Sequence, residues 1–252
     1  MQILDGKIVS QSVKDPARFF AVNVSGGINI LDAMRKNGVR DIIFSSSAAV
    51  YGEPQSTPIT EEHAKNPLNP YGETKFLFER VLAWYGNAYG LRHVSLRYFN
   101  ASGAAGGRGE KHHPETHLIP NVLRAALGQN SEPVKIFGSD YPTKDGSCVR
   151  DYIHVSDIAR AHLLALSSLD KNGSGVYNLG NGSGHSVMQV VAAARRVTGA
   201  AIPTVQMGRR QGDPAVLVAS ANKARTQLGW KPEFAALEPI IESAWKWMKT
   251  RL

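Results

Sequence analysis

A single cysteine, Cys148, stands among 252 residues. One thiol forms neither an intrachain disulfide nor a thiolate metal cluster, so a reducing compartment is expected. No apolar run approaches the roughly 18 residues that span a bilayer. The opening Met1-Gln2-Ile3-Leu4-Asp5-Gly6-Lys7 shows no charged start followed by an apolar stretch. Neither a membrane span nor a secretory leader is therefore expected, and the cytoplasm is the expected location. Hydrophobic residues make up 42% and charged residues 20%, which excludes disordered and collagen-like classes. Basic residues outnumber acidic ones 29 to 21, for a formal charge of +8. They occur at most in pairs such as Arg35-Lys36, Arg195-Arg196 and Arg209-Arg210, with no interleaved aromatics. A nucleic-acid surface needs a stripe of such residues, so no nucleic-acid partner is expected and a small anionic ligand is the expected use of the charge.

What is present alternates between helical and strand patterns. Asp15-Pro16 reads as a cap with proline at the first helical position, opening a helix that Gly38 stops. Ile42-Ile43-Phe44 is the apolar centre of a strand over residues 39–47. A proline-rich loop, 54–70, leads into a helix over 71–89 that carries Phe76, Leu77, Val81, Leu82 and Trp84 and ends at Gly90. The next strand spans 91–99. Strand and helix joined by short links predict a parallel α/β sheet, whose ligands sit at the carboxyl ends of the strands. Residues 101–117 form a long Gly/His-rich loop. Beyond it the pattern predicts helices over 116–127 and from Ser156, a strand over 176–179, a helix with a Ser186/Gln189 capping box, and a C-terminal helix ending in Trp245-Lys246-Trp247.

The strongest chemical signal is Tyr71-Gly72-Glu73-Thr74-Lys75. Four residues apart on a helix, Tyr71 and Lys75 share a face, so the ammonium can sit beside the phenol. A nearby cation favours the phenolate and lowers a pKa that is ordinarily near ~10, which makes the pair a candidate general base. The strand end Ser45-Ser46-Ser47 presents hydroxyls where such a sheet builds its site, and Ser47 is placed to share a proton with Tyr71 and a substrate hydroxyl. His112-His113 and His117 beside Glu110 and Glu115 are metal ligands in type. Their spacing matches no structural zinc pattern, so an ordinary loop without metal is expected.

These residues, with Pro70-Tyr71-Gly72-x-x-Lys75, Ala48-Ala49-Val50-Tyr51-Gly52, Arg97-Tyr98-Phe99-Asn100 and Val149-Arg150-Asp151-Tyr152-Ile153-His154-Val155, resemble the extended short-chain dehydrogenase/reductase family, in particular its UDP-hexose 4-epimerase branch. The resemblance runs from about Lys7 to the C-terminus. Ala48-Ala49 stands where the sugar-nucleotide dehydratases carry an acidic pair, which argues against that branch. The resemblance implies UDP-galactose and UDP-glucose as substrates, NAD as cofactor, a homodimer paired through the 15–37 and 71–89 helices, and catalysis by Tyr71, Lys75 and Ser47. It further implies cofactor contacts at Lys7, Asn23, Ser45, Ser46, Tyr71, Lys75 and Tyr98. Implied substrate contacts are Ser47, Tyr71, Asn100, Leu118, Phe137, Arg150, Arg210, Asp213 and Leu217. Of these, Arg150 and Arg210 match diphosphate arginines, Asp213 a ribose carboxylate, and Leu118 and Phe137 uridine neighbours. Leu217 is smaller than the tyrosine of strictly hexose-specific members, which leaves room for an N-acetyl group.

One family feature has no counterpart. The strand, G-x-x-G-x-x-G turn and acidic residue that hold the adenosine side of NAD are not found, and the resemblance begins about 75 residues into the family pattern. Gly180-Asn181-Gly182-Ser183-Gly184 would need its last glycine at His185 and reads as a tight turn, while no helix directly follows the glycines of 103–109. The expectation is an N-terminally truncated, Rossmann-like α/β parallel sheet over 1–100 with a smaller C-terminal α/β substrate domain over 101–252. Segments around 148–182 are expected to return to the sheet. A chain so cut invites the alternative of a non-catalytic UDP-sugar-binding remnant.

Overall fold

The computed structural model describes residues 9–129, 132–210 and 213–251. Lys7 lies outside them. In chain order the elements are α1 (Val9–Lys14), α2 (Pro16–Phe20), a π-helical turn (Ala21–Ser25), α3 (Gly26–Lys36), β1 (Asp41–Ser47), α4 (Pro70–Tyr89), β2 (Arg92–Tyr98), β3 (Asn100–Ser102), α5 (Leu118–Ala126), β4 (Val134–Phe137) and β5 (Val149–His154). They continue with α6 (Val155–Asn172), β6 (Gly175–Leu179), β7 (Gly184–Ser186), α7 (Val187–Thr198), β8 (Thr204–Met207), β9 (Val216–Leu217), α8 (Asn222–Leu228) and α9 (Leu237–Lys249).

The contacts divide the chain into two units. The first runs to Tyr98 and is rejoined by Arg160–Leu179 and Ser220–Trp230; the second takes Phe99–Ala159, Gly180–Ala219 and the chain from Lys231. In the first unit β1, β2 and β6 form a parallel sheet in that order. Its register aligns Ser47 with Tyr98 and Tyr98 with Leu179, so the three carboxyl ends lie level. Helix α4 is fixed at both ends: Asn69 accepts from the Gly72 amide at 2.9 Å, Pro70 stands at the first helical position, and Gly90 closes the helix at φ 67°. Thr74, Lys75, Phe78, Glu79 and Leu82 are its buried stripe, and Phe78 meets Phe44 of β1 with ring centroids 4.9 Å apart. A Cβ on Gly27 would come within 2.2 Å of the Phe78 ring, so only glycine lets α3 lie this close to α4.

The expected continuous helix from Asp15 is broken. Between α2 and α3 the backbone widens into the π turn, which carries the buried side chain of Asn23. Such a turn inserts one residue into the helical ladder and leaves no mark in hydrophobic spacing.

In the second unit β5 pairs in parallel with β3 and β9 and antiparallel with β7, while β4 and β8 form a separate parallel pair. Val122, Leu123, Ile136, Val190, Val191, Ile202, Ile240 and Ile241 fill its core. The Ser186/Gln189 capping box opens α7 as expected, with Ser186 Oγ accepting from the Gln189 amide and the Gln189 side chain from the Ser186 amide.

Candidate active site

At the carboxyl end of β1 the Ser47 hydroxyl lies beside the Tyr71 phenol, whose pKa it lowers, and accepts from the Ala49 amide at 3.2 Å. Phe19 meets the Tyr71 ring edge-on at 6.5 Å. One helical turn further on, Lys75 Nζ donates to the Ser45 carbonyl at 3.0 Å and lies 5.7 Å from the centre of the Tyr71 ring. The three side chains expected to carry the chemistry therefore meet. The phenol's acidity runs against the expectation drawn from Lys75. Burial raises the Tyr71 pKa above its ordinary value, and the Ser47 hydroxyl opposes this; desolvation of a would-be phenolate is the larger effect here.

Strand alternation sends Ser45 and Ser46 to opposite faces. The Tyr98 hydroxyl donates to Ser45 Oγ at 2.9 Å and also meets His162 Nε2 at 2.7 Å, and burial raises the Tyr98 pKa. Ser46, expected on the cofactor, donates its hydroxyl to Glu79 Oε1 at 2.5 Å in the interior. That carboxylate also holds Arg97 through two hydrogen bonds, of 2.9 and 2.6 Å. Arg97 donates in turn to the Tyr51 hydroxyl at 2.7 Å, and Tyr51 donates to Asn178 Oδ1 at 2.7 Å. This buried chain ties α4 to β1, β2 and β6. Asn23 Nδ2 donates to Thr74 Oγ1 at 2.9 Å, and its buried Oδ1 has no partner among the described residues.

The second unit gathers most of the residues expected on the substrate. Arg150, buried, pairs with Asp213 and also donates to the Val149 carbonyl at 2.8 Å. The Arg210 guanidinium lies 3.8 Å from the centre of the Phe137 ring, and the Arg210 carbonyl accepts from the Asp213 amide at 3.4 Å. Leu217 stands opposite Arg150 in the β5–β9 register, and Asn100 opposite Tyr152 in β3–β5. Leu118 opens α5 against the core.

Neither glycine cluster is a phosphate cradle. The turn at 180–184 wraps the buried Asp151 carboxylate, which accepts from the amides of Asn181, Gly182 and Ala219 at 2.7, 3.0 and 3.0 Å. A Cβ on Gly180 would fall 2.4 Å from Asp151 Oδ2. Gly103 packs on His154 and Gly109 on Trp247.

The sequence reading missed Glu79, Thr74, His162 and Tyr141. Glu79 was within reach, one turn beyond Lys75 on the same face. A lone histidine on α6 carries no signal, and the buried Tyr141 hydroxyl, which has no partner among the described residues, carries none either. Glu110, His112, Glu115 and His117, expected to form an ordinary loop without metal, lie together, with one ligand atom from each within 4.8 Å of the others.

A parallel α/β sheet with Tyr71, Lys75 and Ser47 at its carboxyl end defines a Rossmann-like α/β protein. Residues 6–180 match the NAD dependent epimerase/dehydratase family, and the chain belongs to that family. It is 54% identical over 245 residues to the UDP-glucose 4-epimerase of Halalkalibacterium halodurans, covering 96% of this chain and 73% of the relative. The crystal structure of UDP-glucose 4-epimerase from Brucella ovis in complex with NAD superposes with a TM-score of 0.93 at 46% identity, covering 97% of this chain and 76% of that one. That of UDP-glucose 4-epimerase from Bifidobacterium longum in complex with NAD+ and UDP gives 0.91 at 40% identity, covering 97% and 74%.

Proposed function

We propose that this chain interconverts UDP-galactose and UDP-glucose as an NAD-dependent 4-epimerase. The observation that carries the reading is the Tyr71 phenol beside the Ser47 hydroxyl at the end of β1, with Lys75 Nζ one turn away, 5.7 Å from the Tyr71 ring. Ser47 touches both its own loop and the phenol, so it can pass the proton of a sugar 4-hydroxyl to Tyr71. The Lys75 ammonium, anchored on the Ser45 carbonyl, favours the phenolate that must be present to accept this proton.

The residues present fit the nicotinamide-ribose end of NAD. Lys75 suits ribose hydroxyls, Asn23 Oδ1 is a buried acceptor with no partner among the described residues, and the Tyr98–Ser45 pair lines the same strand ends. When bound, NAD supplies hydride acceptance and return. The diphosphate falls to Arg150 and Arg210, whose planar forks match phosphate oxygens, with Asp213 on the ribose and Phe137, Leu118 and Asn100 around the nucleotide. Gripping the non-reacting part while the sugar is loosely held lets either face of a 4-keto sugar meet the cofactor. Leu217, beside Arg150, leaves room for an N-acetyl group.

A homodimer through α3 and α4 belongs to this reading. Its support is the exposed apolar surface of Ile30, Trp84 and Tyr89 on those helices, where Trp84 is 68% exposed. The lone free cysteine, Cys148, supports a cytoplasmic location.

The test is to incubate the purified protein with NAD+ and UDP-galactose and follow UDP-glucose by NMR. Build-up of UDP-glucose to a fixed equilibrium ratio from either direction is expected. A protein that binds UDP but leaves both sugars unchanged is a binding remnant and refutes the proposal.

A further inference from the structure

We propose that the loop ahead of α5 binds one divalent transition-metal ion of the zinc class, held by Glu110, His112, Glu115 and His117. Four donors of two kinds come from eight consecutive residues, and one ligand atom of each lies within 4.8 Å of all the others. Zinc takes imidazole nitrogen and carboxylate oxygen at about 2.0–2.2 Å, which spaces tetrahedral ligand atoms roughly 3.4 Å apart. His117 Nδ1 lies 3.5 Å from Glu110 Oε1 and 2.7 Å from Glu115 Oε1, and His112 Nδ1 meets the same Glu110 oxygen. Both imidazoles thus turn Nδ1 toward Glu110 Oε1, with ring centroids 5.4 Å apart. A small movement of each side chain converts the hydrogen bonds into four bonds to a central ion.

The backbone pre-sets one of the four ligands. Glu115, whose side chain is fully covered, accepts from the amides of Thr116 and His117 at 2.9 Å each. Arg124 reaches from α5 to the His112 carbonyl at 3.4 Å, so its cation is engaged by that carbonyl. Two carboxylates and two neutral imidazoles make a dianionic cage that a dication neutralises. The nitrogen ligands disfavour magnesium and calcium, which take oxygen. The lack of thiolate disfavours copper(I). Four protein ligands close a tetrahedral shell, which is the pattern of a structural site. His117 is also the N-cap of α5 and offers the helix no side-chain cap. The ion therefore clips the loop to the helix start that presents Leu118. Only this last consequence rests on the proposed function.

The test uses untagged protein, stripped with chelator, reloaded with zinc or cobalt and desalted. Elemental analysis is expected to give about one metal per chain, and the cobalt form to show the intense visible bands of tetrahedral coordination. His112→Ala and Glu110→Gln are expected to weaken retention at least about tenfold, as loss of an inner ligand does. His113→Ala, on the same loop but outside the cluster, is expected to keep it. A wild-type protein that retains no metal, a pale octahedral cobalt spectrum, or equal loss in His113→Ala overturns the proposal. The cobalt spectrum reads the wild-type chain, so the coordination is decided even where a variant misfolds, and none of these readouts depends on epimerase turnover.

Discussion

Tyr71 is caught between two opposing influences. Burial raises its pKa, while the Ser47 hydroxyl beside it lowers it. A base must be deprotonated to act, so removing the lowering influence moves the requirement to higher pH. Ser47→Ala is therefore expected to shift the rising limb of the kcat profile in the alkaline direction as well as to slow the reaction, and steady-state rates across pH check this. An unshifted limb would mean that Tyr71 is not the group being titrated. Leu217 offers a second test at this scale. It faces Arg150 across the β5–β9 ladder, and Leu217→Tyr is expected to reduce turnover of UDP-N-acetylgalactosamine far more than that of UDP-galactose. Equal losses on both sugars would remove Leu217 from the substrate pocket.

At the scale of elements, α4 is the part that the sequence made most legible. Its proline, its terminal glycine and the Tyr71/Lys75 interval all sit at the spacing the helix requires, and the hydroxyl run of β1 falls at the sheet's carboxyl end. What stayed hidden depends on contacts distant in sequence. The π turn that buries Asn23, the commitment of Ser46 to Glu79 and the pairing of Arg150 with Asp213 follow from packing, which no local period encodes. The closeness of the four side chains in the 110–117 loop was hidden for a related reason: it comes from the loop folding back on itself, which no spacing records. Glu79 and Arg97 expose only 6% and 4% of their side chains, so neutralising one strands the other charge in the interior. Glu79→Gln is expected to cost about 3–5 kcal/mol of stability, read by denaturant unfolding. A loss below about 1 kcal/mol would show that the pair is not what ties α4 to the sheet.

The whole molecule carries a formal charge of +8 and keeps several phenols buried. Burial pushes Tyr51 up to about 12 despite the Arg97 guanidinium, which pulls it down. Its neutral form is thus favoured in the fold relative to an unfolded phenol near ~10. The resulting stability is complete below pH ~10 and is lost as pH rises toward ~12, an effect on the order of 3 kcal/mol. Tyr51→Phe is expected to flatten that part of the stability profile, and unchanged alkaline unfolding in the variant would assign the loss to other groups. In sedimentation the chain is expected to run as a dimer of 27.3 kDa subunits, and Trp84→Glu to shift it to monomer; a wild-type monomer would remove α3 and α4 from any interface. The most direct measurement for the chemistry assigned to the molecule is single-turnover conversion of UDP-galactose in the presence of NAD+ by wild type and Tyr71→Phe, with UDP affinity measured alongside. The rate is expected to fall about 10²–10⁴-fold in the variant at unchanged UDP affinity, as loss of a general acid–base group requires. Equal rates in the two proteins would contradict the assignment of the chemistry to Tyr71.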